Sequence, residues 1–200
     1  MEEATFSSSD LAYVQASYVT LDELCAARPE TPEAVDHLIA AGLLPQPTYV
    51  VADGRRMFPR DYFRLADEAG GVEHLREWFF RRFREESERG GLEPSDEWCA
   101  ETEWQDYLDG TYGVCLWEVT PGTIAQKERL IRTIRTLIGK LREDDPSWRE
   151  ELADAVARLD ALERPFTDLD RSRWEYTSRA LYVTDVRERF PDIFADTPRP

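Results

Sequence analysis

A short stretch of the chain holds the residue types that proton-transfer chemistry needs. Glu103 and Asp106 stand one helical turn apart, with Trp104 and Tyr107 beside them. A carboxyl among aromatic rings loses the water that stabilises its ion, so its pKa rises and it can act as a general acid or base. The competing reading is a pair of solvated helix carboxylates. Cys115 follows in Gly110-Thr111-Tyr112-Gly113-Val114-Cys115-Leu116-Trp117. A thiol there is a nucleophile only if a base or a positive neighbour lowers its pKa; otherwise it is a small buried hydrophobe. We read this segment, rich in aromatics and glycine, as extended chain between two helices. Tyr112 and Trp117 are then candidate pocket walls.

A second constellation lies near the C-terminus. Arg171, Arg173, Trp174 and Arg179 fall close together, and helical spacing would put Arg171, Trp174 and Ser178 on one face. Guanidinium forks bind carboxylates and phosphates at two points, so these residues are candidate ligand-binding groups for a metabolite or a carrier-bound intermediate. Internal salt bridges to the abundant Asp and Glu are the alternative. No metal or other cofactor is expected. The two histidines give only Glu33 with His37 and Glu73 beside His74, too few ligands for a site. The G-x-G-x-x-G, P-loop and G-x-S-x-G patterns are absent.

The elements that must position these groups are mainly helical. Thr20-Leu21-Asp22-Glu23 is a capping box, and Thr31-Pro32-Glu33 is a second helix start. A small β-hairpin follows, with strands near 48–51 and 56–58 joined by Asp53-Gly54. A third helix is predicted over 61–69. Beyond Gly70-Gly71, a helix to about Arg89 carries Leu75, Phe79 and Phe83, and another starts at Glu93-Pro94-Ser95-Asp96. Two apolar stripes at helical spacing, Leu130-Ile134-Leu137-Leu141 and Trp148-Leu152-Ala155-Leu159-Leu162, predict an antiparallel helix pair over about 121–163. A final helix is expected over 168–190. The chain thus divides into a winged helix-turn-helix-like part, 1–69, packed on a multi-helix part, 70–200.

Two resemblances bear on this outline. Thr20-Leu21-Asp22-Glu23-Leu24, Ala41-Gly42-Leu43-Leu44-Pro45 and Arg56-Met57-Phe58-Pro59-Arg60-Asp61 resemble the N-terminal domain of MerR-type regulators, over about 18–69. That resemblance implies a second helix in the DNA major groove and a wing on phosphate. The chain departs from it: the second helix has Glu33, Asp36 and His37 but no Lys or Arg, and residues 1–70 hold 12 acidic and 5 basic side chains. Along the whole chain, Gly110-Thr111-Tyr112-Gly113-Val114-Cys115-Leu116, Pro165-Phe166, Asp170-Arg171, Ser178-Arg179 and Arg187-Glu188-Arg189-Phe190-Pro191 resemble an uncharacterised family of natural-product biosynthesis proteins, mostly from actinomycetes. This implies a cytoplasmic protein that works in small-molecule synthesis, and it assigns no catalytic residues.

Composition narrows the classes further. The 200 residues include 25 Lys+Arg against 41 Asp+Glu, a formal charge of −16. Such a field repels phosphate backbones and anionic membranes, so neither nucleic acid nor membrane is an expected partner. No apolar run approaches the length of a membrane span. Three cysteines without C-x-x-C spacing suit a reducing compartment, the cytoplasm. The leading expectation is therefore a natural-product biosynthesis protein that binds or converts a small metabolite in a helix-lined aromatic pocket, as a cofactor-free isomerase, cyclase or transferase. A MerR-like ligand-sensing regulator and a non-catalytic adaptor for a pathway enzyme or carrier protein are the other readings. Substrate and oligomeric state are not legible in the sequence.

Overall fold

The computed structural model describes residues 6–95, 98–174 and 176–195. Among these the protein is mainly helical, with one small antiparallel sheet. Helix α1 (Ser8–Ser17) starts on a capping box: Asp10 N donates to Ser7 Oγ at 3.1 Å, and Ser7 N donates back to Asp10. The chain passes directly into β1 (Tyr18–Thr20), then α2 (Leu21–Cys25) and α3 (Pro32–Ala40). Both of these helices begin at the predicted caps, Thr20 with Glu23 and Thr31 with Pro32. Strands β2 (Tyr49–Val50) and β3 (Arg56–Pro59) form the expected hairpin, and α4 (Arg64–Ala69) follows. The sheet has a third strand that the sequence pattern does not predict. β1 lies against β3, giving the order β1-β3-β2, with Tyr18 opposite Pro59 and Thr20 opposite Met57. Three residues wedged between a helix and a capping box are too few to show strand alternation.

The helical part continues with α5 (Val72–Arg89), α6 (Ala100–Leu108), α7 (Thr111–Cys115), α8 (Pro121–Gly139), α9 (Pro146–Leu162) and α10 (Asp168–Arg173). A π-helical turn (Ala180–Thr184), α11 (Asp185–Arg189) and a 3-10 turn (Pro191–Ile193) complete it. Helices α8 and α9 pack as the antiparallel pair read from their stripes, and at the turn Trp148 Nε1 donates to Leu137 O at 3.2 Å. Phe79, Phe83, Trp98, Trp104 and Tyr107 form one ring cluster between α5 and α6, with Phe79 5.3 Å from Trp104 and Phe83 5.0 Å from Trp98. That is the core role expected for the aromatic stripe.

The structure revises three details. Helix α6 begins at Ala100 rather than at Glu93-Pro94-Ser95-Asp96; of these four, Asp96 lies outside the described residues. Residues 111–115 are a helical turn, not extended chain. Gly110, with φ +76°, ends α6 and redirects the backbone, and Gly113 lets the turn press on the sheet. A Cβ at Gly113 would overlap the Thr48 hydroxyl. The extended backbone is confined to Leu116 and its neighbours, where Leu116 bridges Glu163 and Trp117 N donates to Leu162 O at 3.2 Å. Finally, 168–190 is not one helix. Trp174 leaves helical geometry, and the chain resumes through the π turn.

The apolar core does not respect a division at 69/70. One cluster runs from Val14 through α5, α6 and α7 to Ile124, Ala125 and Phe166. The second joins Leu130, Ile131 and Ile134 of α8 to α9 and the C-terminal turns. The change of cluster falls within α8. Asp170, fully buried, ties the N-terminal sheet to the C-terminal segment: it accepts from Tyr49 Oη at 2.8 Å and from Thr167 N at 2.9 Å.

Candidate functional site

A groove of about 550 Å³ opens among α6, α7 and α8. Helix α6 presents Glu103 and Asp106 to it, α7 presents Thr111, Tyr112 and Cys115, and α8 presents Lys127, Glu128, Arg132 and Arg135. Trp98, Ile124 and Ile131 give it apolar wall, and Ser178 reaches it from the C-terminal segment. Three of the residues read from the sequence, Glu103, Tyr112 and Cys115, therefore meet in one cavity.

Glu103 is 4% exposed, yet it reaches the groove. Tyr112 Oη donates a hydrogen bond to Glu103 Oε2. Burial, and next the carboxylates of Asp106 and Glu128, push the Glu103 carboxyl up to about 8. At neutral pH it holds a proton that it can donate. Burial and Asp109 push Asp106 in the same direction.

Behind Tyr112 lies a chain of polar groups that the sequence reading did not find. Lys127 Nζ is 3.2 Å from Cys115 Sγ and 3.3 Å from Glu163 Oε1. Ser178 Oγ donates a hydrogen bond to the same Glu163 oxygen. Burial works to discharge Lys127, but the ion pair with Glu163 opposes this and holds it as an ammonium. Burial pushes the Cys115 thiol up, against the pull of Lys127, so the sulfur rests as S–H and points its proton at Tyr112 O, 3.9 Å away. The groove is thus lined by a protonated carboxyl from α6 and an ion-paired ammonium from α8. A signal for Lys127 exists in the sequence. The chain has only two lysines among its 25 basic residues, and Lys127 interrupts the apolar stripe between Ile124 and Ile131.

The remaining sequence-derived candidates lie elsewhere. Arg179 and Arg187 both bind Asp160, so the expected anion clamp is an internal ion-pair network. Arg171 pairs with Asp168 at 2.7 Å on the surface, and Trp174 is 38% exposed. The Arg173 side chain lies outside the described residues. Because 168–190 is broken at Trp174, Arg171, Trp174 and Ser178 do not share a helical face. Trp117 is 46% exposed and lines a different cleft from the groove. Among the described residues no group of three or more His, Cys, Asp or Glu is placed to hold a metal ion. No helix among them is long and apolar enough to cross a membrane.

Compared with known proteins, residues 75–191 match the model of a family of unknown function (DUF6058). The match takes in every element that lines the groove. No curated protein and no solved structure matches the chain.

Proposed function

Starting from the fact that this chain belongs to the DUF6058 family, we propose that it converts a small polar metabolite in the groove among α6, α7 and α8. The reaction is cofactor-free acid–base catalysis, an isomerisation, cyclisation or group transfer of the kind found in natural-product synthesis. The observation that carries this reading is Glu103: a buried carboxyl that stays protonated, bonded to Tyr112, at the wall of an open cavity. Glu103 gives its proton to a substrate atom that gains negative charge, and the Tyr112 hydroxyl holds the carboxylate that results. Lys127 lines the same groove from α8, its charge shared with Glu163. Cys115 rests as a thiol, so proton transfer, rather than covalent attack by sulfur, is the favoured chemistry.

The N-terminal part, which we take to be winged-helix-like, serves here as a packing module. Two of its wing cations are already committed, Arg55 to Asp53 at 2.8 Å and Arg56 to Asp36 of α3 at 2.7 Å. Native mass spectrometry of the protein purified from its own host tests the reading. A small adduct that is lost on denaturation, and missing from a groove-filling Thr111→Trp variant, supports it. Bare wild-type protein, or an adduct that Thr111→Trp retains, counts against it.

A further inference from the structure

Arg164 is 5% exposed but is not neutralised in the way a buried arginine ordinarily is. Its Nε donates to Leu116 O at 2.7 Å and its Nη2 to Trp117 O at 3.3 Å. The guanidinium stacks on two rings, 4.8 Å from the Tyr18 centroid and 4.7 Å from that of Trp117. Among the described residues it makes no ion pair with a carboxylate. Carbonyls and π faces fix its position; its charge acts on Asp61 of the same cleft without forming an ion pair, so its other N–H donors stay available to a ligand. Arg164 lines a cleft of about 400 Å³ that shares no lining residue with the groove.

The other walls of this cleft fit the same chemistry. Arg60 donates to Ala16 O at 3.2 Å and likewise makes no ion pair among the described residues. Arg64 also faces the cleft but is shared between Glu68 and Glu118, each at 2.9 Å. The one further carboxyl, Asp61, is placed to accept from Val119 N at 3.5 Å. The half-exposed indole of Trp117 adds an apolar surface beside these two guanidiniums, neither of which is in an ion pair among the described residues. In a chain of charge −16, an anion can be held only where fixed local cations outweigh the global field.

We propose that this cleft is a binding site for a small organic anion, a carboxylate or phosphate monoester with an aromatic or apolar arm. Arg164 and Arg60 take the anion and Trp117 takes the arm. The site is separate from the groove and does not depend on the reaction proposed there.

Titration calorimetry of the full chain at low ionic strength, with benzoate, phenyl phosphate and inorganic phosphate as probes, tests the assignment. Saturable 1:1 binding of benzoate or phenyl phosphate is expected, and the tighter of the two identifies the anion. Inorganic phosphate, which lacks the arm, should bind about tenfold more weakly. Arg60→Gln and Trp117→Ala alter exposed side chains and should each weaken binding about tenfold, with an unchanged circular dichroism spectrum. Glu103→Gln should leave it unchanged. Three results would overturn the assignment: no saturable binding of either aromatic anion, binding indifferent to both cleft substitutions, or binding abolished by Glu103→Gln in a folded protein.

Discussion

Replacing Glu103 with Gln should stabilise the protein in alkaline solution, by an amount that follows from where the carboxyl sits. The rise from an ordinary 4.5 to about 8 comes first from burial. At about 1.4 kcal/mol per pH unit, it penalises the ionised form by about 5 kcal/mol. The sign follows from proton counts. Between pH 4.5 and 8 the native state holds a proton at Glu103 that the unfolded chain has released, so stability falls as pH rises through this window. Below it the carboxyl is neutral in both states and contributes nothing. Above it the penalty is complete. The amide of Glu103→Gln carries no such penalty, and the other groups titrate alike in both proteins. Between pH 5 and pH 9 the wild type should therefore lose about 4 kcal/mol relative to the variant. With a urea slope of about 2–3 kcal/mol per M, the midpoints should separate by roughly 1.3–2 M across that range. Urea unfolding of both proteins at a series of pH values measures this directly. A difference that stays flat from pH 5 to 9 would mean that Glu103 is ionised throughout, and the proton-donor role would fall with it.

Two further outcomes follow from the buried polar chain. Lys127→Met strands Glu163, whose side chain is fully buried, and should cost about 3–5 kcal/mol, whereas Lys127→Met with Glu163→Gln should recover much of that loss. A double-mutant cycle in urea reads the coupling, and additive losses would contradict the ion pair. Cysteine labelling should follow environment: Cys99, half-buried and held below the usual thiol range by its hydrogen bond to Thr102, should react with iodoacetamide well before buried Cys115. Peptide mapping over time checks the order, and faster labelling of Cys115 would contradict a resting S–H.

What could be read from the sequence was local. Capping boxes, a hairpin turn and two apolar stripes depend on residues three or four apart, and those elements form where expected. Glu103, Tyr112 and Cys115 stood out because their neighbours are aromatic or glycine, which is also local information. Lys127 and Glu163 did not stand out, because their roles depend on α8, α9 and α7 meeting. Glu163 caps the end of α9, and the pairing of residues 115–117 with 162–164 brings it to Lys127. The arginines near the C-terminus failed as a clamp for a related reason: Asp160, on a different helix, accepts both Arg179 and Arg187. Arg164 does not stand out in the sequence, because the Tyr18 ring that it stacks on lies far away along the chain.

The most direct test of the central claim is to incubate the purified protein in deuterated water with the small-molecule extract of its host. Every metabolite is then followed by mass spectrometry. Acid–base catalysis from Glu103 predicts at least one metabolite that is consumed, or that gains deuterium at carbon, with the wild type and is unchanged with Glu103→Gln. An extract that stays the same with the wild type, or that changes equally with the folded variant, would contradict it.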